Sequence, residues 1–187
     1  MKYIGTKTLE TERLILRKTE EDDYLPMFRN WAGDERVTRF MTWTPYKSAE
    51  DLKNSYHKYL MENRDRGDMF DWKIVLKETG EPIGSIGVTS LNENIGSCDI
   101  GYCLGYNWWH KGIMSEAFSE IIRFIFEEAD FNRIVAFHDV DNPRSGMVMK
   151  KCGLSFEGIL KQSVKNNKGE LKGAAYYAIL KSEYKGK

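Results

Sequence analysis

From residue 11 to 18 apolar and polar positions alternate, with Leu14 and Leu16 opposing Arg13, Ile15 and Arg17, a period of two that predicts a first strand. Thr19-Glu-Glu-Asp22 has the form of a capping box and opens a helix, with Pro26 close enough to its start to be accommodated. Ser48-Ala-Glu-Asp51 repeats the signal and predicts a long helix to about Arg64, its apolar face carried by Leu52, Tyr56, Tyr59 and Leu60. Strands are expected over residues 70–76, 82–91 and 97–104, joined by turns at Thr79-Gly80 and from Asn92 to Gly96 into an antiparallel meander. Ile113, Ala117, Ile121 and Ile125 then recur every fourth residue, widened by Phe118, Ile122 and Phe124, so residues 112–128 predict an amphipathic helix. A strand at 133–140 follows at once, and such a strand–helix–strand unit demands a parallel pair with a right-handed crossover. A short helix at 142–151, stopped by Gly153, and two strands at 156–164 and 174–180 complete one mixed α/β domain over residues 1–187.

The junction between Asp99-Ile-Gly-Tyr-Cys-Leu and the helix near Gly112 carries the clearest chemistry. The first amides of a helix lack partners within it, and the macrodipole adds roughly half a positive charge there. Gly112 lets a ligand approach the backbone, Lys111 adds a cation and Ser115 a hydroxyl, a combination suited to a pyrophosphate. Neither the glycine triplet of a nicotinamide-dinucleotide fold nor the Gly-Lys-Ser/Thr ending of a nucleoside-triphosphate loop is present, so the anion site belongs to another architecture.

Charge and composition narrow the partners. Lys plus Arg and Asp plus Glu are both 28, so no overall field draws the chain to nucleic acid. Aromatics at 13% fill a core or wall a substrate cleft. Cys98, Cys103 and Cys152 lack metal or redox spacing, and His110 and His138 stand isolated, so reduced thiols and no metal are expected. No stretch suits a signal peptide or a membrane span, and the reading is a cytoplasmic protein without membrane association.

The order Ile100-Gly-Tyr-x-Leu104, Trp109-x-Lys-Gly-x-x-Ser-Glu-Ala117, Asn142-x-x-Ser145, Lys151-x-Gly153 and Phe156-Glu-Gly158 resembles the GNAT acetyltransferases. Leu9-Glu-Thr-Glu-Arg-Leu-Ile-Leu-Arg17 and Pro82-Ile-Gly-Ser-Ile-Gly87 are similar to its branch of RimJ/RimL-type N-terminal acetyltransferases. The likeness runs from Leu9 to about Tyr184. It implies a mostly antiparallel sheet with a splayed parallel pair, and acetyl-CoA as donor. The donor's contacts would be Tyr102, Cys103 and Leu104, the loop Trp109, His110, Lys111, Gly112, Ile113, Met114 and Ser115, and then Asn142, Ser145 and Lys151. The loop amides would take the pyrophosphate, and the backbone of Cys103 and Leu104 would pair with pantetheine like an added strand. Trp109 and Met114 replace the family's usual loop-end residues, and Gly173 stands where the branch often has Asp. At Met149 many members have a tyrosine acid.

For chemistry the resemblance offers Asp99, just before Ile-Gly-Tyr, as a water-mediated base, with Glu93 a lesser candidate and Asp99 as a solvated strand residue the plain alternative. A weak base serves an α-amine, of which about a tenth is neutral at pH 7, against a few parts in ten thousand of a lysine. Ser145 is the candidate near the thiol, or else a helix-start hydroxyl; Cys103 and Cys152 read as inert buried thiols. Trp31, Phe40, Trp43 and Tyr46 are expected near the acceptor. The reading is acetyl transfer by direct attack onto a protein N-terminal α-amine, as of a ribosomal protein. A small amine such as an antibiotic or polyamine is the alternative acceptor, and a non-catalytic acyl-CoA-binding module the rival class. The resemblance also admits a homodimer.

Overall fold

In the computed structural model, which describes residues 1–186, the alternating segments join one mixed sheet. Its strands are β1 (Leu9–Glu10), β2 (Leu14–Arg17), β3 (Asp71–Leu76), β4 (Glu81–Asn92), β5 (Ser97–Leu104), β6 (Arg133–Asp139), β7 (Ser155–Lys165) and β8 (Leu171–Leu180). Their order is β1-β2-β3-β4-β5-β6-β8-β7, and of the neighbouring pairs β5–β6 alone is parallel. Four short helical pieces, α1 (Tyr24–Met27), α2 (Glu35–Thr38), α3 (Ala49–Leu52) and α4 (Lys58–Asn63), lie between β2 and β3. The crossover helix α5 (Ile113–Glu127) joins β5 to β6, as a parallel pair requires, and α6 (Pro143–Lys151) follows β6.

Strand alternation sorts side chains into two cores. Leu14, Leu16, Trp72, Ile74, Ile86 and Ile100 pack with Ala117, Phe118, Ile121 and Ile125 of α5. Each large side chain fully buried in this way contributes about 1.5–3 kcal/mol, so the α5 stripe is a principal source of stability. Trp72 and Phe124 meet edge-on at 5.5 Å. On the other face Met27, Trp31, Val37, Leu52 and Leu60 form a second core that includes Cys103. A buried charge pair closes this side near β2: Arg17 donates to both carboxylate oxygens of Asp23 at 2.8 and 2.9 Å.

The parallel pair is brief. Register holds at Ser97↔Arg133, Cys98↔Ile134 and Asp99↔Val135, after which β5 continues to Leu104 and β6 to Asp139 without pairing to one another. The expected splay is therefore present, and it opens immediately beyond Asp99.

Differences from expectation have local causes. The first strand is shorter than predicted because Thr11 Oγ1 accepts the Leu14 amide at 3.1 Å, folding residues 9–10 back as β1 against Ile15 and Leu16. The first capping interaction falls one residue later than predicted, with Asp23 accepting the Glu20 amide at 2.7 Å. In the helical run 49–63 a wider turn at Lys53–His57 rotates the face. Leu52, His57 and Leu60 are buried, while Tyr56 and Tyr59 are turned outward at 42% and 52% exposure. The pairing of the last two strands, on which the sequence carried no expectation, puts β8 against β6 and β7 at the sheet edge.

Candidate active site

A cavity of about 440 Å³ fills the splay. Its walls include Tyr102, Cys103 and Leu104 of β5, the loop residues Trp109, His110, Gly112, Ile113, Met114 and Ser115, and Asn142, Ser145 and Lys151 around α6. Of the donor contacts expected from the sequence, only Lys111 lies outside it; its carbonyl accepts from Arg13 Nη1 at 3.0 Å. A second, wider cavity of about 1180 Å³ adjoins it, sharing Phe40, Trp109, Asn142 and Arg144.

The start of α5 is built for an anion. Gly112 sits at φ +73°, a left-handed conformation that costs a glycine little, and aims the following amides at the cavity. Glu116 N is the first amide bonded within the helix, to Gly112 O at 3.1 Å, so the amides of residues 113–115 remain for a ligand. A Cβ on Gly112 would lie 3.7 Å from Arg13 Nη2 and 3.9 Å from Lys151 Nζ, so two cations flank the glycine. A pyrophosphate fits this arrangement in charge and in donors. Glu116 anchors it: the carboxylate accepts from Thr11 Oγ1 at 2.5 Å, Arg13 N at 2.9 Å and Arg13 Nε at 2.7 Å. Burial alone would raise its pKa, but these bonds outweigh burial and hold it below the ordinary glutamate range.

One contact was not read from the sequence. The Tyr102 hydroxyl reaches over from β5 to Ser145, donating to its carbonyl at 3.0 Å and lying 2.8 Å from Oγ. Burial pushes the phenol pKa up, so this hydroxyl stays protonated. When the Tyr102 proton sits on Ser145 Oγ, the shorter of the two contacts, the serine's own O–H is left to face the cavity. Met149 is 1% exposed and belongs to the α5 core, and it is Val148 that shares the cavity with Ser145. The absent tyrosine acid therefore leaves no gap in the wall. Cys103 is buried with Sγ 3.3 Å from Ser85 Oγ, and burial raises its thiol, as it does that of Cys98. Both are poor nucleophiles.

The remaining candidates separate. Asp99 occupies the last paired position before the splay, half-buried, on the face opposite α5. Burial raises its pKa, with the Arg133 charge acting in opposition. Glu93 lies in the β4–β5 turn, where it accepts from the Tyr3 hydroxyl, and lines neither cavity. Phe40 lines both cavities. Trp31, expected near the acceptor, is corrected to a core residue at 2% exposure, for its helix turns it into the second core. Trp43 and Tyr46 pack on the edge of that core, ring centroids 6.3 Å apart, and line neither cavity.

Among the described residues no helix is long and apolar enough to cross a membrane, and no His/Cys/Asp/Glu group has metal-binding form. An N-acetyltransferase of Bacillus licheniformis, p20, is 34% identical over 183 residues, 96% of this chain and 99% of that protein. The [Ribosomal protein uS5]-alanine N-acetyltransferase of Escherichia coli is 24% identical, over 82% of this chain and 80% of its own. Among solved structures, a GNAT-family acetyltransferase from Bacillus anthracis superposes with a TM-score of 0.81 at 24% identity, covering 94% of this chain and 99% of that one. A spermidine N-acetyltransferase from Vibrio cholerae, solved with CoA and spermine, reaches 0.77 at 20% identity, covering 94% and 100%. Residues 13–155 match the acetyltransferase (GNAT) domain, a span that holds the splayed strands, the α5 amides and Ser145 together. With that match added to the geometry, the chain belongs to the GNAT family of acetyl-CoA-dependent N-acetyltransferases.

Proposed function

We propose that this acetyltransferase delivers its acetyl group to the α-amine at a protein N-terminus, by direct attack on the thioester. The observation that carries the reading is the cavity at the splay, where an anion-binding helix start, an unpaired strand edge and the Ser145 hydroxyl line one space. In this reading the amides after Gly112 hold the pyrophosphate, and the edge of β5 turned from β4 near Cys103 and Leu104 bonds the pantetheine amides, the Leu104 carbonyl using the lone pair that the Trp109 indole leaves. Asp99, its pKa raised by burial, takes the ammonium proton through one water. The amine attacks the thioester carbon, and the tetrahedral intermediate collapses by breaking the carbon–sulfur bond. Ser145 Oγ, accepting from the Tyr102 hydroxyl, donates a hydrogen bond that stabilises the departing thiolate, and the remaining proton of the attacking nitrogen passes to that sulfur to give the CoA thiol and the amide.

The protein-terminus acceptor draws support from the wide second cavity, open enough for a chain end, and from the relative that acetylates a ribosomal-protein alanine. A small amine is the second reading, favoured by the carboxylate on the acceptor face described below. Incubation with labelled acetyl-CoA and fractionated cell extract tests the choice. Label on a protein N-terminus is expected; label confined to small molecules overturns the first reading in favour of the second.

A further inference from the structure

On the sheet face opposite α5, a row across three strands begins at a carboxylate and continues through two glycines. Asp71 on β3 is in register with Gly87 on β4, and Gly87 with Gly101 on β5. Gly101 lies two residues beyond Asp99, where the splay begins. The row from Asp71 to the splay thus carries two glycines, with the exposed Thr89 methyl lying against the second of them. A Cβ on Gly87 would sit 3.2 Å from Asp71 Oδ2, so the carboxylate leans over this row.

The carboxylate is held in place. Its Oδ1 accepts from the ammonium of Lys73, a side chain with no exposure. The strand beneath it is fixed as well, because Thr6 Oγ1 accepts the Asp71 amide at 2.8 Å and donates to its carbonyl at 3.1 Å. Oδ2 has no hydrogen-bond partner among the described residues, while the Asp71 side chain keeps 15% exposure. A carboxylate accepts about four hydrogen bonds, so Lys73 leaves this one with capacity to spare. Tyr56, half-turned to solvent above this face, has its phenol raised first by burial and then by the Asp71 charge.

We propose that the row is an acceptor subsite in which Asp71 Oδ2 receives a second ammonium group of the acceptor while the reacting amine waits at the splay. The proposal rests on the acetyl-transfer reading above. From the Gly87 row to a ligand lying one strand beyond Gly101 is two strand spacings, about 9.6 Å. A hydrogen bond of about 2.8 Å at one end and a reactive contact of about 3 Å at the other leave about 4–9 Å between the two nitrogens, according to how far the acceptor arches off the sheet. Short alkyl diamines span that distance. A monoamine of equal length reaches the splay and offers nothing to Asp71.

The test compares kcat/KM for butane-1,4-diamine and butylamine with acetyl-CoA. The wild-type chain is expected to favour the diamine by at least ~10-fold, the weight of one charge-assisted hydrogen bond. Asp71→Asn alone strands the buried Lys73 ammonium, so it is combined with Lys73→Met, which removes both charges together. In this double variant the ratio is expected to fall to about one, with melting temperature and CoA affinity recorded as measures of the fold. Gly101→Ala gives an independent reading, because its Cβ would come within 2.8 Å of Thr89 Cγ2 and push that exposed methyl further over the row. It is expected to raise KM for the diamine more than it lowers kcat, and it decides the matter should the double variant fail to fold. No diamine preference in the wild type, an unchanged ratio in the double variant, or an unchanged diamine KM in Gly101→Ala overturns the subsite. Acetylation of peptide N-termini but of neither amine also overturns it and leaves the acetyl-transfer reading standing. Failure of the wild type to acetylate any acceptor brings down that underlying reading itself.

Discussion

Around the start of α5 the ligand-facing groups are amides, ordered by a left-handed glycine and by the knot that Glu116 ties to Thr11 and Arg13. Across the sheet, the face proposed for the acceptor presents side chains instead: Asp71 and Asp99, and a stacked Phe137–Tyr176 pair with centroids 5.0 Å apart, contributed by four strands. The first half binds through groups every residue owns and needs only the right backbone path. The second half binds through groups that any substitution changes.

The contrast breaks most visibly at Gly112. Gly112→Pro forces φ from +73° toward about −65°, and a strained backbone of roughly 3 kcal/mol corresponds to about a 100-fold loss. CoA affinity by calorimetry is expected to fall at least that far, with the circular-dichroism spectrum retained. Undiminished affinity would show that the amides after Gly112 do not hold the donor. A smaller effect is expected at Ser145, where a side chain serves the donor half. Ser145→Ala should lower kcat about 10- to 100-fold with little change in KM for acetyl-CoA, the mark of an interaction made in the transition state. Equal kcat in the two proteins would reduce Ser145 to a helix-start hydroxyl.

The smallest effect, and the one most dependent on conditions, belongs to Asp99. Its pKa is raised by burial, and a base works only when ionised, so the wild-type rate should climb as pH rises through that elevated value. Asp99→Asn should cost a few-fold to ~10-fold near pH 7, and the gap should narrow at high pH, where the amine loses its proton unaided. Parallel pH–rate curves of equal height would remove Asp99 from proton transfer and leave the acceptor face to binding alone.

The same division explains what was legible in the sequence. Turn residues, the glycine at 112 and the four-residue stripe are local signals, and they placed α5 to within a residue of its ends, whereas the splay was implied by the family resemblance. The Tyr102–Ser145 contact joins residues 43 apart, and the Asp71–Gly87–Gly101 row depends on register between three strands, including a shift between Val88 and Ser90. Nothing local encodes either. Trp31 went astray for a related reason: an aromatic beside a presumed cleft and one beneath it look alike until the helix phase is known, and here a widened turn at Phe28–Ala32 sets that phase.

Trp109 has a further consequence. Its indole N–H donates to the Leu104 carbonyl at 2.7 Å, and its ring borders both cavities, so in the proposed reading one side chain is a wall common to donor and acceptor. A molecule that shifts this wall from one side alters the fit on the other. Linkage then makes the influence mutual: whatever factor the donor contributes to acceptor affinity, the acceptor returns to the donor. The order in which the two enter, and the slowness with which the second leaves, would thus be written into the setting of a single indole.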